Sequence, residues 1–372
     1  MSDSVRTIGF PGRYVQGPGA VAALGSLMKE LGGRVAAVVA GDAARAASGD
    51  RVTATLEAAG CGARFLRFRG ACTAATVSGL AAQAAEIEAD TVIALGGGSV
   101  IDTAKGVTIA SGGLLIVVPT VASTDAPTSR SVVLYDDQHR ITGVERMRRN
   151  PDAVLVDTDI VARAPLRFFV AGMGDALSKK FEAQQCRLAG AMNFFGTPPP
   201  PVALLLAERC YATIAEYGEA ACARIAATGR PDDAVERVVE ATVLYSGLGF
   251  EACGLSMAHA LIRGLSAHPG MGGALHGEVV AFGTIVQLLA EERPAAEVRT
   301  HVELARRLGL PVTLAQLGAP SLNAVELQEI ARLSCTAPHM ANLSPRADEA
   351  RVVRMLRAAD ELGRSVLEFS RS

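Results

Sequence analysis

The chain has 372 residues, a formal net charge of −2 and 49% hydrophobic residues, but only 4% aromatic residues and no tryptophan. This length favours two domains over one. The balanced charge gives no electrostatic reason to expect a nucleic acid or an anionic membrane as a partner. The seven cysteines form no CxxC pair, the first residues lack an apolar signal core and no apolar stretch is long enough to span a bilayer. These features predict reduced thiols in a cytoplasmic protein.

The first 160 residues alternate between short apolar runs and alanine-rich stretches of helical length. The apolar runs predict strands over residues 35–40, 91–95, 114–118 and 153–157. Continuous apolar strands separated by helices are typical of a parallel sheet that is covered on both faces. The sequence therefore predicts a Rossmann-like α/β domain over residues 1–163.

The strand signal stops after residue 165. Long segments rich in Ala, Leu, Glu and Arg follow, and they predict helices over residues 171–188, 202–217, 233–247, 278–290, 294–308 and 347–362. The four prolines at 198–201 predict a loop that leads into the first turn of the next helix, because proline lacks the backbone donor that a helix interior needs. We expect an all-α domain over residues 164–372.

A glycine turn follows the apolar run at 91–95. Gly96, Gly97, Gly98 and Ser99 come directly after it, and a predicted helix begins next. A strand, a glycine turn and a helix start present backbone N–H groups to an anion, and glycines let a pyrophosphate approach closely. The pattern is not GxGxxG, so the usual dinucleotide fingerprint is absent, and a tight turn without a ligand is the alternative.

Two further segments of the α/β region are candidates for nucleotide contacts. Asp42 lies just past the run at 35–40, where an acidic side chain accepts hydrogen bonds from an adenosine ribose and repels a 2′-phosphate. This favours NAD over NADP, and a helix cap is the alternative. The hydroxyl-rich segment 118–129 follows another buried strand, in the position where open α/β sheets bind ligands. Its alternative role is to cap the next helix.

One carboxylate and two imidazoles stand out in the helical region. Asp175, His259 and His276 have the composition of an open catalytic zinc site with three protein ligands. Glycines between the two histidines allow the chain to double back and bring both rings to one ion. The alternative is that each histidine is a packed core residue.

The remaining histidines have other interpretations. The sequence places His268 in a mobile loop, His139 in an exposed hairpin turn, His301 on a solvated polar helix, and His339 beside a cleft or at a helix cap.

These segments resemble, in order and over nearly the whole chain, the glycerol dehydrogenases of the iron-containing alcohol dehydrogenase superfamily. The matching segments are 96–105, 119–127, 150–158, 172–177, 247–251 and 276–283. The resemblance implies a dehydroquinate synthase-like architecture with an NAD-binding α/β domain and a helical metal- and substrate-binding domain. It also implies NAD-dependent oxidation of glycerol, or of a related vicinal diol, to dihydroxyacetone or the corresponding hydroxyketone.

The resemblance also assigns residues and assembly. It implies that Asp175, His259 and His276 bind the metal, that Asp125 binds a substrate hydroxyl, and that the protein forms homo-oligomers from dimers up to octamers. The residues that it implies for the cofactor are Asp42, Gly96, Gly97, Gly98, Ser99, Asp102, Thr120, Ser123, Ser129, Ser131 and Tyr135.

The branch of the superfamily is indicated by Lys179, which stands where iron-dependent relatives carry a fourth ligand, a histidine. A three-ligand site favours Zn²⁺ over Fe²⁺. Ser99, Ile262 and Arg263 depart from the usual glycerol dehydrogenase pattern, which has Lys, His and Asn there. The alternatives are a hydroxy-acid or glycerol-phosphate dehydrogenase, a dehydroquinate-synthase-like lyase, and a paralogue that binds NAD without turnover.

Overall fold

The computed structural model describes residues 5–136 and 141–369. The strands in this part of the chain are β1 (Tyr14–Gly17), β2 (Val35–Ala40), β3 (Gly62–Arg67), β4 (Thr91–Gly96), β5 (Leu114–Pro119), β6 (Ser131–Tyr135), β7 (Ile141–Arg146) and β8 (Ala153–Asp157). The α-helices are α1 (Leu24–Glu30), α2 (Asp42–Ala58), α3 (Ala74–Glu86), α4 (Gly98–Ser111), α5 (Thr158–Arg163), α6 (Leu166–Leu188), α7 (Pro201–Thr228), α8 (Asp233–Glu240), α9 (Ser246–Cys253), α10 (Met257–Ala260), α11 (Ile262–Leu265), α12 (His276–Ala290), α13 (Ala295–Arg307), α14 (Ala324–Cys335) and α15 (Glu349–Phe369).

Six strands form one parallel sheet in the order β1-β8-β5-β4-β2-β3, and β6 and β7 form a separate antiparallel pair. The expected fold class, a parallel α/β sheet followed by a mostly helical region, is therefore confirmed. All four predicted strands are present in the interior of this sheet. The sequence prediction lacked β1 and β3, the two edge strands, because one is only four residues long and the other is largely exposed.

The sheet is stabilised by a core on one of its faces. Val38, Ile93, Ile116 and Leu155, one from each interior strand, are fully buried there. Side chains from α1 and α2 pack against them, including Leu24, Met28 and Leu56. Apolar burial of this kind contributes roughly 25 cal/mol for each Å² removed from water.

The chain divides into two compact units that do not follow a single cut. One unit, here called the sheet unit, contains residues Gly9–Phe169 and Ala223–Gly247. The other, here called the helical unit, contains Met1–Ile8, Val170–Cys222 and Leu248–Ser372. The sequence analysis expected one boundary near residue 163. The segment that contains α8 returns to the sheet unit because Glu236 bonds to β1 and α5, accepting hydrogen bonds from Gln16 Nε2 (2.7 Å) and Thr158 Oγ1 (2.5 Å).

The predicted helices are present, with shifted ends. The helix after the prolines begins at Pro201, as expected, but continues to Thr228. The helix predicted over 233–247 is interrupted by a π-helical turn at Ala241–Tyr245 and then continues as α9. Such turns often accompany functional sites.

Two further findings concern the cysteines and the apolar character of the helices. Cys61, Cys72, Cys186, Cys210, Cys222, Cys253 and Cys335 are all free. Within residues 5–136 and 141–369, no single helix has both the length and the apolar character needed to cross a membrane. The bent pair Asp233–Cys253 and Met257–Leu265 reaches that length and apolar character only when its two parts are taken together.

Candidate metal centre and cofactor turn

Asp175 on α6, His259 on α10 and His276 at the start of α12 lie together in the helical unit. Each offers a ligand atom within 4.8 Å of the other two. Nε2 of His259 lies 3.2 Å from Oδ1 of Asp175, and Nε2 of His276 lies 3.8 Å from the same oxygen. Asp175 is buried and the His259 side chain is 8% exposed, whereas the His276 side chain is 41% exposed. The cluster therefore has one accessible side.

Two glycines explain how α6 and α12 come close enough to form this cluster. A Cβ added to Gly277 would lie 1.7 Å from the carbonyl oxygen of Ala171, and one added to Gly174 would lie 2.4 Å from the carbonyl oxygen of Gly277. Each glycine adjoins a candidate ligand, Asp175 or His276. The helices approach at these positions because no side chain separates their backbones.

Glu182, which the sequence analysis did not assign, fixes the orientation of His259. Its buried carboxylate accepts a 2.6 Å hydrogen bond at Oε2 from Nδ1 of His259, and a 2.8 Å bond at Oε1 from the N–H of Ser256. Burial alone would raise the pKa of Glu182, but the charge of His259 lowers that pKa to about 2. A carboxylate on Nδ1 directs Nε2 of the ring towards Asp175 and raises its basicity, as in carboxylate–histidine–metal triads.

Lys179 is a buried cation that shares these ligand atoms. Its Nζ lies 2.6 Å from Oδ1 of Asp175 and 3.2 Å from Nε2 of His259. Burial raises the pKa of Asp175, but the charge of Lys179 holds that pKa well below its usual range. For His259, burial lowers the pKa, but the charge of Glu182 raises it to about 9. A divalent ion at this cluster would therefore compete with the Lys179 ammonium.

The donor set fits a divalent ion. Oδ2 of Asp175 is buried and has no hydrogen-bond partner within the described part of the chain. A buried carboxylate oxygen without a partner is costly, and a cation would satisfy it. One carboxylate oxygen and two imidazole nitrogens are the donors of open catalytic zinc sites.

The three other histidines in the described part of the chain do not join this cluster. His268 caps a short 3₁₀ turn, where Nδ1 accepts from the N–H of Gly270, and the His339 ring lies 6.1 Å from the Phe194 ring.

The expectation that His301 is solvated is wrong: it is 1% exposed and stacks on Tyr211. Burial, followed by the charge of Lys180, lowers the pKa of His301 to about 4. His139 lies outside the described residues.

The predicted glycine turn lies between β4 and α4 in the sheet unit. Gly97 is the residue before the helix, and no side chain caps the helix there. A Cβ on Gly96 would lie 2.7 Å from the Val100 side chain, so the turn needs glycine. The N–H of Thr120 donates to the carbonyl oxygen of Gly96, which places the loop after β5 beside the turn. The backbone donors of this turn fit a pyrophosphate.

The expected cofactor residues in the following segment have mixed placements. Ser99 is exposed, whereas Ser123 and Tyr135 are partly buried, and burial raises the pKa of Tyr135 to about 12. Asp102 is partly buried and accepts a 3.1 Å bond at Oδ2 from the N–H of Val133, which anchors β6 to α4.

A second unassigned residue, Lys105, holds the loop between β5 and β6. Its fully buried Nζ donates to the carbonyl oxygens of Ala126 and Ser131, each at 2.8 Å, and lies 3.3 Å from Oγ of Ser129. Oγ of Ser131 is buried and has no partner within residues 5–136 and 141–369. A fully bonded buried ammonium of this kind fixes the backbone that it contacts.

The loop that contains Asp125 contacts both the π-helical turn and the start of α9. Oγ of Ser246 lies 3.4 Å from Oδ2 of Asp125, and Oγ1 of Thr128 donates to the carbonyl oxygen of Val243 at 3.0 Å. A Cβ on Gly247 would lie 1.9 Å from Oγ1 of Thr128, so only glycine allows this approach. The loop of Asp125 is therefore packed tightly within the sheet unit.

Comparisons with known proteins agree with the sequence resemblance. The iron-containing alcohol dehydrogenase family model matches residues 11–158. The chain is 37% identical to a glycerol dehydrogenase of Thermotoga maritima over 97% of this chain and 98% of that protein. It is 38% identical to a glycerol dehydrogenase of Pseudomonas putida over 98% of this chain and 100% of that protein. The crystal structure of a probable glycerol dehydrogenase from Sinorhizobium meliloti matches with a TM-score of 0.91 and 34% identity, over 97% of this chain and 100% of that chain.

Proposed function

This chain belongs to the iron-containing alcohol dehydrogenase family, and from that premise we propose that it is an NAD-dependent glycerol dehydrogenase, which oxidises glycerol to dihydroxyacetone. The observation that carries the proposal is the convergence of Asp175, His259 and His276 on one point of the helical unit. Curated relatives that are similar over nearly the whole chain bear the glycerol dehydrogenase name, which supports the choice of substrate.

Asp175, His259 and His276 would hold the ion, which we propose to be Zn²⁺. When bound, a divalent cation supplies the positive charge that lowers the pKa of a substrate hydroxyl. Glu182 keeps Nε2 of His259 directed at the ligand cluster, and the exposed face of His276 leaves one side of the cluster accessible. Three protein ligands with nitrogen and oxygen donors favour zinc.

NAD is the proposed hydride acceptor, and the glycine turn is the proposed site of its pyrophosphate. The uncapped start of α4 offers backbone N–H groups at Gly98 and Ser99, where the helix dipole favours an anion. Lys105 fixes the backbone of the neighbouring loop, so it would hold that loop in place beside the pyrophosphate.

Asp125 is the proposed contact for a further hydroxyl of the polyol. A carboxylate accepts hydrogen bonds from hydroxyl groups and disfavours an acidic substrate by like-charge repulsion. Asp125→Ala should therefore reduce kcat/KM for glycerol far more than for a simple secondary alcohol. Equal losses on both substrates would argue against this contact.

The test of the function is NADH formation with glycerol, measured against a panel of diols, hydroxy acids and glycerol phosphate, with metal analysis of the same sample. A chelator should abolish turnover and Zn²⁺ should restore it better than Fe²⁺. His276→Ala should lose the metal and turnover but keep NAD binding, whereas His268→Ala, a histidine outside the cluster, should behave as wild type. Full activity of His276→Ala would refute the metal assignment, and preferred turnover of an acid or a phosphate ester would refute the substrate.

We also propose a homo-oligomer. Four large apolar side chains within residues 188–205 are exposed, namely Leu188, Met192, Val202 and Leu205. These four side chains are close together in the sequence, and an exposed apolar patch on a surface often marks an interface. Light scattering should give a multiple of the 38.5 kDa chain mass, and Leu205→Lys should lower that mass. A monomeric wild-type protein would contradict the proposal.

The proposed location is the cytoplasm, with small molecules as the ligands and no nucleic acid or membrane as a partner. Seven free cysteines, five of them buried, support a reducing compartment. Fractionation of the native host, followed by detection of the chain, tests this location.

A further inference from the structure

Asp42, at the proposed ribose position, is paired with an arginine. Asp42 begins α2 just after β2, and Arg67 ends β3, the neighbouring parallel strand, in register with Ala40. Nε of Arg67 donates to Oδ1 of Asp42 at 2.7 Å, and a second guanidinium nitrogen bonds to Oδ2. Both carboxylate oxygens are therefore already engaged in an ion pair at this end of the sheet.

Two more arginines are near the pair in the chain, Arg45 after Asp42 and Arg69 after Arg67. Arg45 lies one helical turn after Asp42, and its guanidinium lies 4.9 Å from the centre of the Phe65 ring. Phe65 and Arg67 share a face of β3, because side chains alternate along a strand. The pKa of Asp42 is lowered first by its hydrogen bond to Arg67, and the charges of Arg67, Arg69 and Arg45 add to this effect. Three cations therefore act on one carboxylate, and the cluster carries a net positive charge.

An acidic residue alone at this position repels a 2′-phosphate, whereas an arginine accommodates one. Here the carboxylate charge is offset by Arg67, whose guanidinium has five N–H donors and can contact a phosphate while it remains near Asp42. Both side chains are at least half exposed. An exposed ion pair of this kind is weak, so a ligand can rearrange it at little cost.

We propose that Arg67, together with Arg45 and Arg69, forms a binding site for the 2′-phosphate of NADP, so that the enzyme accepts NADP as well as NAD. The inference rests on the proposed function, because it requires a bound NAD whose adenosine ribose lies at Asp42, as the sequence analysis expects. Asp42 then serves both cofactors: it accepts a hydrogen bond from the ribose of NAD, and it orients Arg67 towards the phosphate of NADP.

The test measures binding of two adenosine nucleotides, 5′-AMP and adenosine 2′,5′-bisphosphate, to the full chain by calorimetry. Wild type should bind the two within about tenfold of each other, whereas a site built only to accept the ribose would disfavour the phosphate strongly. Arg67→Ala should weaken binding of the bisphosphate by roughly tenfold, as expected for loss of a charge-assisted hydrogen bond. The same variant should bind 5′-AMP as tightly as wild type, or more tightly.

Arg64→Ala is the matched control. Arg64 is also exposed and also on β3, but three residues away and paired with Glu86 at 3.6 Å, so its replacement should change neither affinity. Equal bisphosphate affinity in Arg67→Ala and wild type would overturn the inference while leaving the proposed function intact. A wild-type protein that binds 5′-AMP at least a hundredfold more tightly than the bisphosphate would also overturn it. Failure of wild type to bind either nucleotide, or NAD itself, would instead refute the proposed function and the inference with it.

Discussion

The metal cluster and the Asp42–Arg67 pair are both built on charged side chains, but they differ sharply in burial. Asp175 and Glu182 are at most 1% exposed, whereas Asp42 is 65% and Arg67 50% exposed. A buried charge is costly unless its partners are fixed, while an exposed pair contributes little and rearranges readily. The protein therefore holds rigidly the atoms that would do the chemistry. It leaves adjustable the contacts that would choose between two cofactors.

The largest effect is expected where backbones touch at the metal cluster. In Gly277→Ala the new methyl group would collide with the carbonyl oxygen of Ala171, so α6 and α12 must separate. Overpacking of this kind destabilises by roughly 1–3 kcal/mol or more, and the separation should abolish tight metal binding. Denaturant unfolding and metal analysis measure the two effects.

Gly273→Ala is the control for this substitution, because a Cβ there meets no atom within 4 Å. It should retain both stability and metal. If Gly277→Ala also kept its metal at full occupancy, the close helix contact would not be what assembles the cluster.

Glu182→Gln should have the next largest effect. Glutamine keeps the shape but loses the charge that orients His259, and removal of such a partner typically lowers metal affinity by roughly 10- to 100-fold. Competition with a chromogenic chelator measures this affinity directly, without reference to turnover. Arg187→Gln, an exposed change on the same helix, serves as the control. Unchanged affinity in Glu182→Gln would show that the carboxylate only fills space.

Lys179→Met should change metal affinity in the opposite direction. The substitution removes a cation that lies within 3.2 Å of two ligand atoms, so affinity should rise by about tenfold, which corresponds to the loss of one modest charge repulsion. Lys180→Met is the matched control, because Lys180 pairs with Glu208 instead. A fall in affinity would mean that Lys179 holds the ligands in place rather than competing for them.

The same difference in burial decides what the sequence could predict. The interior strands and the trio of Asp175, His259 and His276 were predicted, because apolar runs and residues of metal-binding type can be recognised in the sequence itself. Lys105, Lys179 and Glu182 were not assigned their structural roles, since such residues are almost always solvated and only packing reveals the exceptions.

His301 is a residue that the sequence analysis expected to be exposed and that the structure buries. Its helix is polar in composition, which led to the prediction of a solvated side chain. Val298, Val302 and Ala305 lie on the same face at helical spacing and are buried with it. The face of the helix, rather than its overall composition, determines the environment of the side chain.

The smallest effect is expected at the exposed pair. Asp42→Asn keeps a group that bonds to ribose but removes the negative charge beside Arg67, so the ratio of kcat/KM for NADP to that for NAD should rise by roughly two- to fivefold, the scale of one exposed charge interaction. The thermal unfolding midpoint should not change measurably, because the pair lies in solvent. Asp50→Asn, an exposed change on the same helix, should leave both quantities as in wild type. An unaltered cofactor ratio in Asp42→Asn would place the adenosine ribose away from α2, whereas a large loss of stability would show that this pair is structural, and the contrast with the metal cluster would fail.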